Sequence, residues 1–345
     1  MVYVFCGLPA PYATFIVRLG LDILREFYGD LQYVAANTLD QLREGLEKRG
    51  DRPIMIYFDV PDIKIAQSVV HNGIPTVLVT EPVEQAILYA MKARSLSALA
   101  ASRFVTQSAA SLFPVVSANT ISPLRIGTQL NELESLVNRV SFSLGLSLTS
   151  VNVDNILALY DQANRNHLRP LTEIIYERVE HASEAATGTS ELTPEEVEVV
   201  QATAATYDML MSGQIPSRFK WPVAACFSGQ RPTGGLAGPI EMVGPARMLS
   251  WGPYFHLPAG QWLADVTFSV KGNYSGNIIV IDVLADGKVA VVAKSVLPKN
   301  GTFSAQLAFE VSAPNQPVEV RVVMAEGAIE GEFELVSLTI ERAAS

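Results

Sequence analysis

Apolar positions in the first part of the chain switch between two spacings. Residues 2–6, VYVFC, are an unbroken β-branched and aromatic run, and residues 14–28 carry Phe15, Leu19, Ile23 and Phe27 four apart. That order predicts a buried strand followed by an amphipathic helix. Residues 31–35 predict a second strand, and 39–49 a charged helix ending near Gly50. PIMIYFDV at 53–60 is a near-continuous apolar run of the kind that parallel strands covered on both faces require. A helix over 62–71, stopped by Asn72 and Gly73, leads to the next buried strand at 74–80. Repeated βα units predict a parallel sheet with right-handed crossovers.

From 83 to about 207 the pattern is helical. A long Ala- and Ser-rich helix over 83–112 is expected to close at Pro114. Residues 129–144 place Leu130, Leu133, Leu136, Val137 and Val140 on one face before Gly145, and helices are expected over 152–167 and 172–186. The last helix, to about Met211, opens with Thr193 as N-cap, Pro194 at the first helical position, and Glu195 and Glu196 at the positive end. Periodicity then lapses over 213–249, a Gly/Pro-rich stretch that reads as a connector with one or two short strands. Strands are expected over 264–270, 277–285, 288–297, 302–311, 318–324 and 332–341, with a turn at Asp286-Gly287. The fold class is therefore α/β plus all-β. It assigns 1–212 to a parallel-sheet domain with a helical second half, 213–249 to the connector, and 250–345 to an antiparallel, jelly-roll-like sandwich.

Composition narrows the partners. A chain of 345 residues buries roughly 75% of its unfolded surface and needs no covalent staple. The formal charge of -10, with no cluster of Lys and Arg, argues against nucleic acid. Two cysteines, Cys6 and Cys226, give no disulfide framework and suit a reducing compartment. No signal-peptide pattern and no run of about 18 apolar residues is present, so no membrane span is expected and the cytoplasm is the expected location.

Chemistry is sought first where the first strand runs through Gly7-Leu8-Pro9-Ala10-Pro11-Tyr12-Ala13-Thr14 into a helix, the place where α/β proteins hold a phosphate. This stretch resembles the 5′-phosphosulfate loop of the sulfotransferases, G-x-P-R/K-S-G-T-S/T. Gly7 and Pro9 match and Thr14 falls on the terminal hydroxyl, while Ala10 replaces the basic residue, Pro11 the Ser, Tyr12 the Gly and Ala13 the Thr. A phosphosulfate cradle needs inward N–H groups, close backbone approach and a cation. Pro11, Tyr12 and Ala10 remove these. The family's second landmark, R-D-P with a Ser six residues later, corresponds to Thr80-Glu81-Pro82 and Leu88, which lack the phosphate-holding groups. Ser141-Phe142-Ser143-Leu144-Gly145-Leu146 resembles its F-L-G-L segment, and residues 192–196 resemble its closing helix. The resemblance spans about 1–212 and implies a sulfotransferase-like scaffold with a decayed cofactor site, whose residual cofactor-binding residues would be Gly7, Pro9 and Thr14. No catalytic residue is assigned and no cofactor is expected. An active transferase would use 3′-phosphoadenosine 5′-phosphosulfate.

Such a transferase also needs a base, for which His71, His167 and His181 are the candidates. Asp59 and Asp62 lie at the carboxyl edge of a strand, where α/β sheets bind ligands, although Asp62 also suits a helix cap. There is no metal motif. The stretch Trp251-Gly252-Pro253-Tyr254 and Leu257-Pro258-Ala259-Gly260-Gln261-Trp262, followed by alternating strands, resembles the entry to a carbohydrate-binding-module-like sandwich. Sugars pack their C–H faces on aromatic rings beside a few polar groups. Trp251, Tyr254, Trp262, Tyr274 and Asn273 are the ligand-binding candidates, with Trp262 also suited to the core and Tyr274, in a Gly-flanked turn, expected exposed. The favoured expectation is a non-catalytic glycan-binding or scaffold protein of bacterial exopolysaccharide or cell-envelope polysaccharide assembly. The alternatives are a transferase acting on a glycan hydroxyl and a β region that serves self-association into a homo-oligomer.

Overall fold

The computed structural model describes residues 1–125, 132–160, 169–229 and 235–343. The first apolar run forms β1 (Val2–Gly7), and α1 (Pro11–Tyr28) begins at a proline, whose missing N–H costs nothing in a first helical turn. β2 (Gln32–Ala35), α2 (Leu39–Lys48), β3 (Ile54–Phe58), α3 (Ile63–His71) and β4 (Thr76–Thr80) follow in the expected alternation. Asp62 caps α3 by accepting from the Lys64 N–H. The helix expected over 83–112 is two, α4 (Val83–Ala93) and α5 (Ala98–Val116), with Ser95 between them in a left-handed conformation (φ 52°). Pro114 lies inside α5 and does not end it. β5 (Leu124–Arg125), α6 (Leu133–Ser143), α7 (Ser150–Tyr160), α8 (Leu171–Arg178), α9 (Ala182–Ala185) and α10 (Pro194–Met211) complete this part. His181 (φ 62°) divides the helix expected over 172–186. Parts of the helices expected over 129–144 and 152–167 lie outside the described residues. Among the described residues, no helix is long and apolar enough to cross a membrane.

The chain forms two units. The first comprises Met1–Ser97, Ser111–Ser190 and Leu210–Gln214. Its sheet is parallel throughout, in the order β2-β3-β1-β4-β5. α1 buries Phe15, Ile16, Leu19 and Ile23 in a core shared with Tyr3 and Phe5 of β1 and with Leu136, Val137, Ile156 and Ile174 of the later helices. Each such side chain contributes about 1.5–3 kcal/mol on full burial. Gly20 is required by close approach, since a Cβ there would lie 2.2 Å from the Phe5 ring. The chain leaves β1 toward β2 and leaves β4 toward β5. The carboxyl ends of β1 and β4 thus flank the topological switch point, where open α/β sheets usually bind ligands.

The second unit comprises Ala98–Ala110, Glu191–Met209 and Ile215–Ser345. Its strands are β6 (Arg218–Trp221), β7 (Phe227–Ser228), β8 (Ile240–Glu241), β9 (Arg247–Phe255), β10 (Gly260–Lys271), β11 (Ile278–Ala285), β12 (Lys288–Val296), β13 (Gly301–Val311), β14 (Val318–Met324) and β15 (Glu332–Arg342). They pair antiparallel in two sheets, β13-β10-β15-β6, with β8 also on β15, and β12-β11-β14-β9-β7. The stretch expected as a connector therefore supplies three strands to the sandwich. β6 shows why the pattern is hard to read, because Phe219 and Trp221 alternate with Arg218 and Lys220 over four residues only. Phe219 and Trp221 enter a cluster of edge-to-face rings. Phe219 lies 5.4 Å from both Trp262 and Tyr207, and Trp221 lies 6.0 Å from Phe255. Tyr207, from α10, donates its hydroxyl to the His256 carbonyl at 2.6 Å. Burial and the nearby Arg103 push the His256 imidazole down to about 3, which keeps it neutral.

Candidate functional site

The amino end of α1 is occupied by the chain's own carboxylate. The Tyr12 and Ala13 N–H groups donate to Glu81 Oε1 and Oε2 at 3.1 and 2.9 Å. Glu81 follows β4 directly, so the sheet carries it across the switch point to two amides that no helical carbonyl satisfies. It is 7% exposed, and burial pushes its carboxyl up to about 8 against the two amides, which pull it down. Gly7 is buried where a Cβ would lie 2.8 Å from the Val79 carbonyl oxygen, and Pro9 is buried. The Thr14 hydroxyl donates to the Ala10 carbonyl at 3.0 Å. Gly7, Pro9 and Thr14 are thus brought together at the loop, but their roles are closure and helix geometry. At the second landmark, Leu88 is buried, and the Thr80 hydroxyl is buried without a hydrogen-bond partner among the described residues.

Of the other polar candidates of the first unit, Asp59 lies at the same carboxyl edge of the sheet, directly after β3. Asp59 is buried, accepts from Asn37 Nδ2 at 2.8 Å and lies 3.5 Å from Arg94 Nη2. The Asn37 side-chain oxygen in turn accepts from the Asp59 and Val60 N–H groups, so this cluster joins the β2 and β3 ends. Asp62 caps α3. His71 is exposed at the end of α3, His181 faces Glu180 and Glu184, and His167 lies outside the described residues. No group of three His, Cys, Asp or Glu that could hold a metal occurs among the described residues. Both cysteines are buried and unbridged, and burial pushes the Cys226 thiol up to about 12.

In the sandwich the five ligand-binding candidates separate into three places. Trp262 is fully buried and donates its indole N–H to the Pro258 carbonyl at 3.0 Å, as a core residue does. Asn273 is 1% exposed and fully engaged. Its amide donates to the Leu297 carbonyl at 2.8 Å, and its oxygen accepts from Asn277 Nδ2 at 2.6 Å. Tyr274 is 66% exposed, with the Lys299 ammonium 4.0 Å from its ring centre. Trp262 lies near the start of β10 and Tyr274 three residues past its end, with about 30 Å of strand from Trp262 to Lys271 between them.

Trp251 and Tyr254 come together on the outward face of the second sheet. Pairing registers Val292 of β12, Asp282 of β11, Arg321 of β14, Trp251 of β9 and Phe227 of β7 in one row across five strands. Arg321 forks onto Asp282, with Nε to Oδ1 at 2.7 Å and Nη2 to Oδ2 at 2.8 Å. The Trp251 and Phe227 rings lie 6.1 Å apart, and Phe227 lies 6.5 Å from Tyr254. Tyr254 takes a left-handed backbone (φ 67°), which a bulky side chain seldom adopts, and donates its hydroxyl to Glu319 Oε1 at 2.8 Å. Burial and that bond push the Tyr254 phenol up to about 12. The Arg103 guanidinium, from α5, lies 4.8 Å from the Tyr254 ring centre and 4.9 Å from that of Phe227, and its Nε donates to the Pro253 carbonyl at 2.7 Å. The next row, Val280, Val323 and Met248, is half-buried or exposed, with Met248 at 37%. Sequence reasoning missed Arg103, Phe227, Asp282, Glu319 and Arg321. A readable signal existed for three, since Asp282 in IIVIDVLA and Glu319 and Arg321 in VEVRVVM interrupt apolar strands.

No family model matches the chain, and no curated protein matches it. The sulfotransferase resemblance of residues 1–212 therefore rests on its sequence landmarks alone. Among solved structures, the chain is similar to the EclA C-terminal domain, described as a sugar-binding protein, at 16% identity over 35% of this chain and 89% of that one, with a TM-score of 0.24. It is similar to the carbohydrate-binding module CBM6cm-2 from Cellvibrio mixtus lichenase 5A, in complex with cellotriose, at 12% identity over 36% and 100%, with a TM-score of 0.23. A Stig cyclase, Fisc, from Fischerella sp. TAU shares 17% identity over 36% and 72%, with a TM-score of 0.23. These likenesses carry no argument about ligand or activity.

Proposed function

We propose that the chain binds a glycan on the outward face of the second sheet of the sandwich, and serves as a non-catalytic binding or scaffold component of polysaccharide assembly in the cytoplasm. The observation that carries this reading is the row from Asp282 through Arg321 to Trp251 and Phe227. It sets half-buried aromatic faces beside a fixed polar pair, and pyranose rings call for that combination: C–H surfaces that pack on aromatics and hydroxyls that exchange hydrogen bonds with charged groups. The left-handed backbone of Tyr254 adds support, because strain of this kind concentrates at functional sites.

A glycan array probed with the full chain and with Trp251→Ala tests the reading. Saturable binding to one glycan class by the parent, lost in the variant, is the expected result. An array with no bound glycan, or equal binding by both proteins, removes it. Glu81 on the α1 amides weighs against the transferase alternative, because an incoming phosphate would have to displace it. Adenosine 3′,5′-bisphosphate at a hundred times its dissociation constant adds about 2.7 kcal/mol of stability to a protein that binds it. We expect no thermal shift.

A further inference from the structure

The first unit has an open cavity of about 330 Å³ at the amino-terminal edge of its parallel sheet, opposite the edge that Glu81 closes. Its lining is mixed, more polar than apolar, and includes Val69, buried near the end of α3, and half-buried Ile74 before β4. Its rim carries Ser122, before β5, and Arg139, Phe142 and Ser143 from the last turns of α6. This volume is at the small end of the range for ligand pockets.

Two features of the rim point to a ligand. Phe142 is 76% exposed, although Leu136, Val137 and Val140 of the same helix are fully buried. An aromatic ring held in water at the mouth of a cavity has a free face for packing. Arg139 is the second. The residues three and four positions away on α6 are Ser135, Leu136, Phe142 and Ser143, none of them acidic. Its guanidinium has no ion pair or hydrogen bond among the described residues, whereas Arg25, Arg43, Arg52, Arg169, Arg218 and Arg321 are each paired with a carboxylate. The Ser143 hydroxyl donates to the Arg139 carbonyl at 3.0 Å, which leaves its oxygen able to accept.

We propose that this cavity binds a small ring-bearing carboxylate, with the acid group on the Arg139 guanidinium and the ring against Phe142 and the apolar side chains of Val69 and Ile74 in the lining. An arginine fork matches a carboxylate with two parallel hydrogen bonds, and the aromatic rim selects a flat or ring-shaped body over a simple anion. The site is separate from the glycan-binding face and stands or falls without it.

Ligand-observed NMR on the full chain tests the proposal, with benzoate as the probe and benzyl alcohol and acetate as its two halves. Benzoate is expected to bind saturably, with a dissociation constant on the order of 1 mM, and each half at least about tenfold more weakly. Arg139→Gln is expected to weaken benzoate about tenfold or more, in keeping with loss of a charge-assisted bond, and Phe142→Ser several-fold. Both residues are exposed, so the variants keep the fold, and Arg139→Lys, retaining charge without the fork, is expected between the parent and the Gln variant. Absence of saturable benzoate binding, unchanged affinity in Arg139→Gln, or benzyl alcohol binding as tightly as benzoate would each overturn it.

Discussion

The amino end of α1 and the outward face of the β12-β11-β14-β9-β7 sheet meet the needs of their polar groups in different ways. At α1, two backbone donors at a place suited to an anion are satisfied by Glu81 from inside the fold. On the sheet face, the charged groups are also paired, Arg321 with Asp282 and Tyr254 with Glu319, but the surfaces of Trp251, Phe227 and Met248 remain partly in water. Hydrogen-bond satisfaction is common to both and does not separate them. What separates them is apolar and aromatic area left uncovered, which is the quantity that favours a ligand.

Breaking the closed end should have the largest effect. Glu81→Ala leaves one buried and one half-buried N–H group without acceptors and is expected to cost about 3 kcal/mol in urea unfolding near neutral pH. The pH dependence has a definite sign. Because the folded state holds the Glu81 proton more tightly than the unfolded one, its stabilising contribution is complete below pH 4.5 and is lost as pH rises through about 8. The stability gap between parent and variant should therefore narrow between about pH 5 and pH 9 by up to a few kcal/mol. A gap that widened would mean that the amides hold the carboxylate ionised. Next in size is Gly20→Ala, whose Cβ meets the Phe5 ring at 2.2 Å; calorimetry should report a loss of about 2 kcal/mol as α1 shifts from β1.

Changes on the open face should be smaller in stability and larger in binding. Asp282→Asn leaves the Arg321 guanidinium without its ionic partner in a half-buried setting. A cost of about 1 kcal/mol is expected by thermal denaturation, reduced in high salt, together with weaker glycan binding. Trp251→Ala is expected to change stability least, by less than about 1 kcal/mol in the same measurement, while abolishing glycan binding. If it unfolded the sandwich as a core substitution does, at about 3–5 kcal/mol, Trp251 would belong with Trp262 and the contrast between the two regions would be lost.

Periodicity made the alternating βα units and the later strands legible, and cap chemistry made α10 and the Asp62 cap legible. It failed where a pattern was too short to register, as in the four residues of β6, and at Ser95 and His181, where non-glycine residues take positive φ without a local signal. The site was legible in part. Trp251 and Tyr254 stood out as aromatics at a sandwich entry, but Arg103 lies in an Ala/Ser-rich helix 150 residues before Pro253, whose carbonyl it contacts. Only tertiary structure brings those together. Glu81 was visible as an acid beside Pro82, and its partnership with α1 follows from strand order, which no local pattern encodes.

The make-up of the sandwich unit has a consequence for how the protein is born. Residues 98–110 and 191–209 leave the ribosome well before β9, which receives Arg103 and, through the His256 carbonyl just past its end, Tyr207. They must wait for the remainder of the chain, since β15, the central partner of β10 and β6, ends at Arg342. The nascent chain thus carries both segments without their sandwich partners until the C-terminal strands are made, and the second unit closes in one late, long-range step. A fragment cut near residue 240 would lack β6, β7 and both helical segments, so it would report on the loss of the sandwich itself before it reported on self-association.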